Sequence, residues 1–210
     1  MIRLEVWGPY AAFNRPELKV ERYSYDFITP SAARNILQAV YWHPSFDWVV
    51  DKIYILNPIE RFSITKNEQK NKGSYSEMRE AALGLRKPPH LKIDQTQRSS
   101  NVLKNVHYII EAHFVSSGKE GFDQDKIYAI FTQRAASGKC FTTPYLGIRE
   151  FTASFGLYPN DCEIKTADIN KDCGIMLMDI DYSKNPVEPY YFKAKIENGV
   201  VNLAESEVYK

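Results

Sequence analysis

The chain has 210 residues, 44% of them hydrophobic and 25% charged, enough to bury one substantial core or two small ones that share an interface. No segment combines a basic start, an apolar stretch and a small-residue cleavage site, and no run approaches the roughly 20 apolar residues of a membrane span, so a cytoplasmic protein without a membrane partner is expected. The cysteines Cys140, Cys162 and Cys173 are odd in number and lack CxxC spacing, which argues against a disulfide framework or a zinc site and for reduced thiols. The net charge of +1 conceals an asymmetry. Arg61 to Lys104 holds 10 basic and 4 acidic residues, whereas Asn160 to Lys210 holds 6 basic and 10 acidic. A local surplus is what phosphates respond to, so the near-neutral total does not exclude a nucleic acid; a solvated basic loop fits the charge equally well.

Ile2-Arg3-Leu4-Glu5-Val6-Trp7 alternates apolar and polar residues as a half-buried strand does, and Gly8-Pro9 is expected to end it. Thr29-Pro30-Ser31 offers a capping hydroxyl and a proline at the first helical position. In the helix that follows, Ile36, Leu37, Val40 and Tyr41 form the apolar stripe, and Pro44 stops the helix after Trp42 and His43. Trp48 to Leu56 and Ile59 to Thr65 read as a pair of strands around Asn57-Pro58. Lys66 to Ser99 is polar, basic and broken by glycines and Pro88-Pro89, and reads as an insertion. Val106, Tyr108, Ile110, Ala112 and Phe114 alternate as another strand. Asp123 to Ser137 has helical spacing at Ile127, Ile130, Phe131 and Ala135, with Gly138 as terminator. Arg149 to Leu157 closes the series.

The order strand, helix, strand, strand, helix, strand predicts an α+β, ferredoxin-like (RRM-like) domain over residues 1–160, with the basic insertion at about 66–99. Residues 161–210 read as a small antiparallel β-sheet, with strands over Ile175–Tyr182 and Tyr190–Ile196 and a type I′ hairpin signal at Asn198-Gly199 before Val200-Val201. His107, Glu111 and His113 share a strand face, but the two histidines stand roughly 20 Å apart along a strand and cannot share one ion. Of Trp7, Trp42 and Trp48, two are expected in the core and one free to stack on a base.

Four ordered stretches carry a family resemblance: Leu4-Glu5-Val6-Trp7-Gly8, Ala39-Val40-Tyr41-Trp42-His43-Pro44, Val102-Leu103-Lys104-Asn105-Val106-His107-Tyr108, and Cys140-Phe141-Thr142-Thr143-Pro144-Tyr145-Leu146-Gly147-Ile148-Arg149-Glu150-Phe151. Together they resemble the Dvulg type of the CRISPR-associated Cas-five family, subtype I-C. The resemblance implies a metal-independent endoribonuclease, without cofactor, that cuts the repeat hairpin of CRISPR precursor RNA by attack of a 2′-hydroxyl on the adjacent phosphate. It further implies that the mature, 5′-tagged guide is retained within the interference complex, beside its backbone and large subunits; binding of duplex DNA is left open.

Such chemistry needs a group to take the 2′-hydroxyl proton, a cation for the charge that builds on phosphorus and a proton source for the leaving oxygen. The family pattern is a tyrosine at the end of helix one and a Lys-His pair at the start of helix two. The tyrosine matches Tyr41 and the lysine Lys126, but the next residue is Ile127, not histidine. A phenol, ionising near about 10, can orient the nucleophile or protonate the leaving group, and a neighbouring ammonium helps it act as a base. His43 is the local substitute for the missing imidazole. Arg86, Lys87, Arg98, Lys104, Arg134 and Arg149 are the candidate RNA contacts. Without the resemblance Tyr41 would read as a core aromatic and Lys126 as a solvated helix-start lysine. The departure at Ile127 favours the alternative, a non-catalytic subunit that holds the 5′ tag of guide RNA.

Overall fold

Apolar alternation at the N-terminus buries Ile2, Leu4 and Val6 while Arg3, Glu5 and Trp7 face outward, and this strand organises the rest of the chain. The computed structural model describes residues 1–18, 20–70, 73–89 and 95–210; of the expected insertion, residues 71–72 and 90–94 lie outside these. In chain order the elements are β1 (Ile2–Ala11), β2 (Arg22–Tyr23), α1 (Pro30–Val40), β3 (Phe46–Ile55), β4 (Glu60–Gln69), α2 (Tyr75–Ala82), β5 (Gln95–Ser116), α3 (Gln124–Ala136), β6 (Ser154–Leu157), β7 (Lys171–Asp181), β8 (Glu188–Ile196), β9 (Val200–Asn202) and β10 (Val208–Tyr209).

The fold is mixed α+β, a large mainly antiparallel sheet beside a smaller one. The large sheet runs β6-β1-β5-β3-β9, with β2 and β4 attached to β5, and the small sheet runs β10-β8-β7. β1, α1, β3, β5, α3 and β6 occur in the order strand, helix, strand, strand, helix, strand, with β2, β4 and α2 inserted between them. α1 starts where the sequence signals it: Thr29 Oγ1 accepts the Ala32 N–H at 3.3 Å and Pro30 occupies the first turn. Its buried stripe Ala33, Ile36, Leu37 and Val40 and the Ile127, Phe131 and Ala135 stripe of α3 enter one apolar cluster with Leu4, Val6, Ile53, Tyr108 and Ile110. Cys173, Met176, Phe192 and Ala194 of the small sheet belong to the same cluster.

Four expectations are corrected. β1 continues through Gly8-Pro9 to Ala11; Pro9 is skipped in the pairing with β5, so its missing N–H costs no ladder bond there. β3 and β4 do not pair with each other, because β5 is long enough to take both, β3 along Tyr108–Ser116 and β4 along Gln95–Lys104. The corner between them is held by Asn57 Nδ2, which donates to the Asn105 carbonyl at 2.8 Å. Asn198 and Gly199 both take positive φ, 49° and 74°, as a type I′ turn demands, but the strand beyond them, β9, pairs with β3 in the large sheet and not in the small one. Finally, Trp48 alone of the tryptophans is buried, at 3% exposure, whereas Trp7 and Trp42 are 39% and 53% exposed.

Candidate active site

The outward face of the large sheet is occupied by closed charge pairs. Arg3 Nε donates to Glu111 Oε2 at 2.8 Å, and the Tyr54 hydroxyl donates to the same oxygen at 3.3 Å. His107 Nε2 meets Glu5 Oε1 at 2.8 Å, and His113 Nδ1 meets Asp51 Oδ2 at 2.9 Å. These pairs leave Arg3, His107 and His113 already committed to carboxylates, with which a phosphate would have to compete. Each histidine has its own carboxylate, and among the described residues no group of three or more His, Cys, Asp or Glu converges on one point.

The helix side presents a different arrangement at the C-terminal end of α1. Tyr41 caps the helix with extended backbone, φ −152° and ψ 124°, and its N–H still donates to the Leu37 carbonyl at 3.0 Å. Trp48 Nε1 donates to the Tyr41 carbonyl at 3.0 Å, and the Tyr41 ring leans on Phe46 with centroids 5.7 Å apart. The backbone at this residue is therefore fixed by the core while its ring stays only half-buried.

The cation that touches Tyr41 comes from the far end of α3. Arg134 lies with its guanidinium carbon 5.0 Å from the Tyr41 ring centroid, and its Nη1 donates to the Val40 carbonyl at 3.1 Å. One of its five N–H donors is thus committed to a carbonyl that the helix end leaves without an intrahelical partner. Lys126 stands two turns earlier on α3, about 12 Å along the axis. It is exposed and has no ion-pair partner among the described residues; its backbone N–H donates to the Asp123 cap at 3.1 Å. Ile127, at the position of the family's histidine, is 3% exposed and points into the core.

His43 is exposed, and its Nδ1 lies 2.8 Å from Ser45 Oγ and receives the Ser45 N–H at 3.3 Å. With Nδ1 accepting, the neutral ring carries its proton on Nε2 and presents a donor, not a lone pair, to the surface. Its Cε1 would stand 3.6 Å from a Cβ on Gly121, which places it beside the loop that leads into α3. Tyr41 and Arg134 are therefore brought together at one end of α3, and His43 approaches the segment before the other end.

The remaining candidate RNA contacts divide. Arg149 is exposed just beyond Gly147 and has no ion-pair partner among the described residues, and the same holds for Lys87 and Lys104. Arg86 is paired with Glu77 at 2.9 Å and Glu80 at 4.0 Å, and Arg98 lies 3.5 Å from Glu68.

Beside Tyr41 opens a groove of about 710 Å³ between α1 and the Phe141–Gly147 segment. Phe141 and Thr142 N–H both donate to the Ala39 carbonyl, at 2.7 and 3.2 Å, and Ala12 N–H donates to the Leu146 carbonyl at 3.0 Å. Gly147 has φ +87°, and a Cβ there would lie 2.0 Å from the Ala12 carbonyl oxygen, so only glycine lets this loop close on β1. The sequence places Phe141 and Tyr145 within a motif but assigns them no role. Their exposures, 76% and 38%, are what single them out.

Residues 1–202 match the family described as CRISPR-associated protein (Cas_Cas5). The chain belongs to this CRISPR-associated Cas5 family. It is 43% identical over 213 aligned positions to the CRISPR pre-crRNA endoribonuclease Cas5d of Mannheimia succiniciproducens, covering 96% of this chain and 94% of that protein. It is 38% identical over 188 positions to the CRISPR pre-crRNA endoribonuclease Cas5d of Thermus thermophilus, covering 90% and 76%. Among solved structures, one described as a CRISPR-associated protein superposes with TM-score 0.70 at 22% identity, over 100% of this chain and 96% of the other. A functionally uncharacterized protein from Streptococcus mutans gives 0.69 at 20%, with the same coverage of 100% and 96%. These likenesses establish the fold. No helix among the described residues is long and apolar enough to cross a membrane.

Proposed function

We propose that this Cas5-family chain is an endoribonuclease of CRISPR precursor RNA, acting at the end of α1 and keeping the tagged guide as a subunit of an interference complex. The observation that carries the reading is the match along nearly the whole chain to two relatives that bear that activity in their names. The geometry at Tyr41 supplies a chemistry compatible with it.

In that chemistry the 2′-oxygen of one nucleotide bonds to the adjacent phosphorus, the bond from phosphorus to the 5′-oxygen breaks, one proton leaves the 2′-hydroxyl and one reaches the departing 5′-oxygen. The products are a 2′,3′-cyclic phosphate and a 5′-hydroxyl. Tyr41 is the residue we assign to orient the 2′-hydroxyl or protonate the leaving oxygen, since its backbone is fixed and its ring half-open. Arg134, with guanidinium donors left over after its bond to Val40, is the cation we assign to the charge that develops on phosphorus. Lys126 contributes along the phosphate chain near the start of α3. His43, whose accepting nitrogen is taken by Ser45, serves as a donor to phosphate or to the leaving oxygen and not as the base.

One observation favours the second reading, a subunit that holds the 5′ tag of guide RNA without cutting. Ile127 is buried in the apolar cluster, so the position after Lys126 offers no imidazole. The two readings separate in one assay: labelled repeat RNA incubated with purified protein in EDTA. Site-specific cutting by the wild type, lost in Tyr41→Phe, supports the nuclease. Tight binding without cutting leaves the guide-holding subunit.

A further inference from the structure

Between α1 and the Phe141–Gly147 loop the groove is lined by aromatic faces, amides and hydroxyls, and no Asp, Glu, Lys or Arg of the described residues lines it. A phosphate would find no cation inside, and an ammonium or guanidinium would find no carboxylate. What the lining does suit is a flat, neutral group with hydrogen-bonding edges. Trp42 and Phe141 lend exposed ring faces, 53% and 76% exposed, and Asn35 and Gln38 lend amides that both donate and accept.

Three further features fit such a guest. The volume, about 710 Å³, falls in the range of sites that enclose small planar ligands. Its walls are held before anything binds, because Phe141 and Thr142 both donate to the Ala39 carbonyl and the Gly147 turn closes against Ala12. And Trp42 follows Tyr41 directly in the chain, with extended backbone at Tyr41, so the groove's edge and the Tyr41 ring lie on either side of one short stretch of backbone.

We propose that this groove is a binding site for an unpaired nucleobase of the RNA, adjacent to the nucleotide held at Tyr41, stacked by Trp42 and Phe141 and read at its edge by Asn35 and Gln38. The inference rests on the proposed function in so far as RNA is the ligand, but not on whether that RNA is cut. Base stacking on an aromatic side chain contributes about 5- to 150-fold to affinity per base, and a base locked in a preformed groove also positions the phosphate beside it.

The test is an abasic scan. Repeat RNAs, each lacking one base, are titrated by fluorescence anisotropy against the wild type, Trp42→Ala, Phe141→Ala and Trp42→Phe. The wild type is expected to lose about tenfold in affinity at one or two unpaired positions and little elsewhere. In Trp42→Ala and Phe141→Ala that position-specific loss disappears, since the pocket no longer grips the base, and in Trp42→Phe it persists. Asn35→Ala changes which base is preferred there. If abasic and side-chain losses simply multiply, or if no unpaired position stands out, the base is elsewhere and the proposal falls. Coupling seen with a protein that binds but does not cut sinks the nuclease reading and keeps this one; cutting without coupling does the reverse.

Discussion

Two regions of this molecule carry basic residues that could meet RNA, and they differ in whether those charges are free. On the β4–β5 arm most arginines already have partners: Arg61 with Asp26, Arg86 with Glu77 and Glu80, and Arg98 with Glu68, to which Arg22 is also bound; Lys66 lies 3.4 Å from Glu150. Elsewhere, Arg134 at the helix junction, Lys126 near the start of α3 and Arg149 beyond Gly147 have no carboxylate among the described residues. The arm holds the surplus that composition displays, with its arginines mostly paired and Lys87 and Lys104 without ion pairs among the described residues, whereas Arg134 and Lys126 on the helix side have no carboxylate. A phosphate on the arm must compete with a carboxylate for Arg61, Arg86 and Arg98, whereas at Arg134 it competes only with water and one backbone carbonyl.

The largest expected effect sits at the junction. Tyr41→Phe removes the hydroxyl and keeps the ring that rests on Phe46 and under Arg134, so the cleavage rate should fall by about 100-fold or more while RNA affinity stays within about twofold. Arg134→Lys keeps the charge but not the fork that serves Val40 and phosphate together, and a fall of about 100-fold in single-turnover rate is expected. Cleavage that survives either change at near wild-type rate would move the chemistry away from α1.

A second effect separates catalysis from core. Ile127→His installs the residue type of the family pattern at a position that is 3% exposed within the apolar cluster. An imidazole there loses apolar packing and has no partner at hand, so unfolding in urea should show a loss of about 2 kcal/mol, without any gain in cutting. A variant that cuts faster would mean that the start of α3 opens in the RNA complex.

How far the sequence can lead is visible in these same residues. Strand alternation and capping chemistry are local, so β1, the Thr29-Pro30 start of α1, the Asp123 start of α3 and the Asn198-Gly199 turn are all legible in the order of the amino acids. Pairing partners are not local. Proximity in sequence suggests β4 beside β3, yet it lies on β5, and Val200-Val201 belongs to the large sheet and not to the small one. At the site, helical spacing places Tyr41 at the end of α1, but the cation beside it is Arg134 from the far end of α3, a choice set by how two helices pack. Exposure of Trp42 and Phe141 likewise depends on what covers them, which periodicity does not encode.

The arm's anchor gives a prediction of similar size that depends on pH. Asp26 is 7% exposed; burial works to raise its pKa, but hydrogen bonds from Arg61 and Lys171, the latter at 3.0 Å, outweigh it and hold the carboxyl below its ordinary 3.8. A carboxyl depressed in the folded state stabilises the protein above its unfolded pKa, and that stabilisation is lost as the pH falls through the acid range toward the folded value. Asp26→Asn should therefore cost about 2 kcal/mol at pH 7 in chemical denaturation and flatten the acid limb of the stability profile. A variant with an unchanged acid limb would show that the Arg61 and Lys171 contacts do not persist in solution.

The smallest effects decide whether the contrast between free and paired charge is real. Arg149→Ala should lower the slope of log affinity against log salt by about 1, as loss of one phosphate contact does. Arg86→Ala, which removes a cation already shared by Glu77 and Glu80, should leave that slope unchanged and the affinity within about twofold. The two variants are best titrated side by side at several salt concentrations with the same repeat RNA. Equal slopes for both would mean that RNA displaces the carboxylates from the arm. In that case the charge surplus read from the sequence, and not the set of unpaired cations, would be the better guide to where the backbone runs.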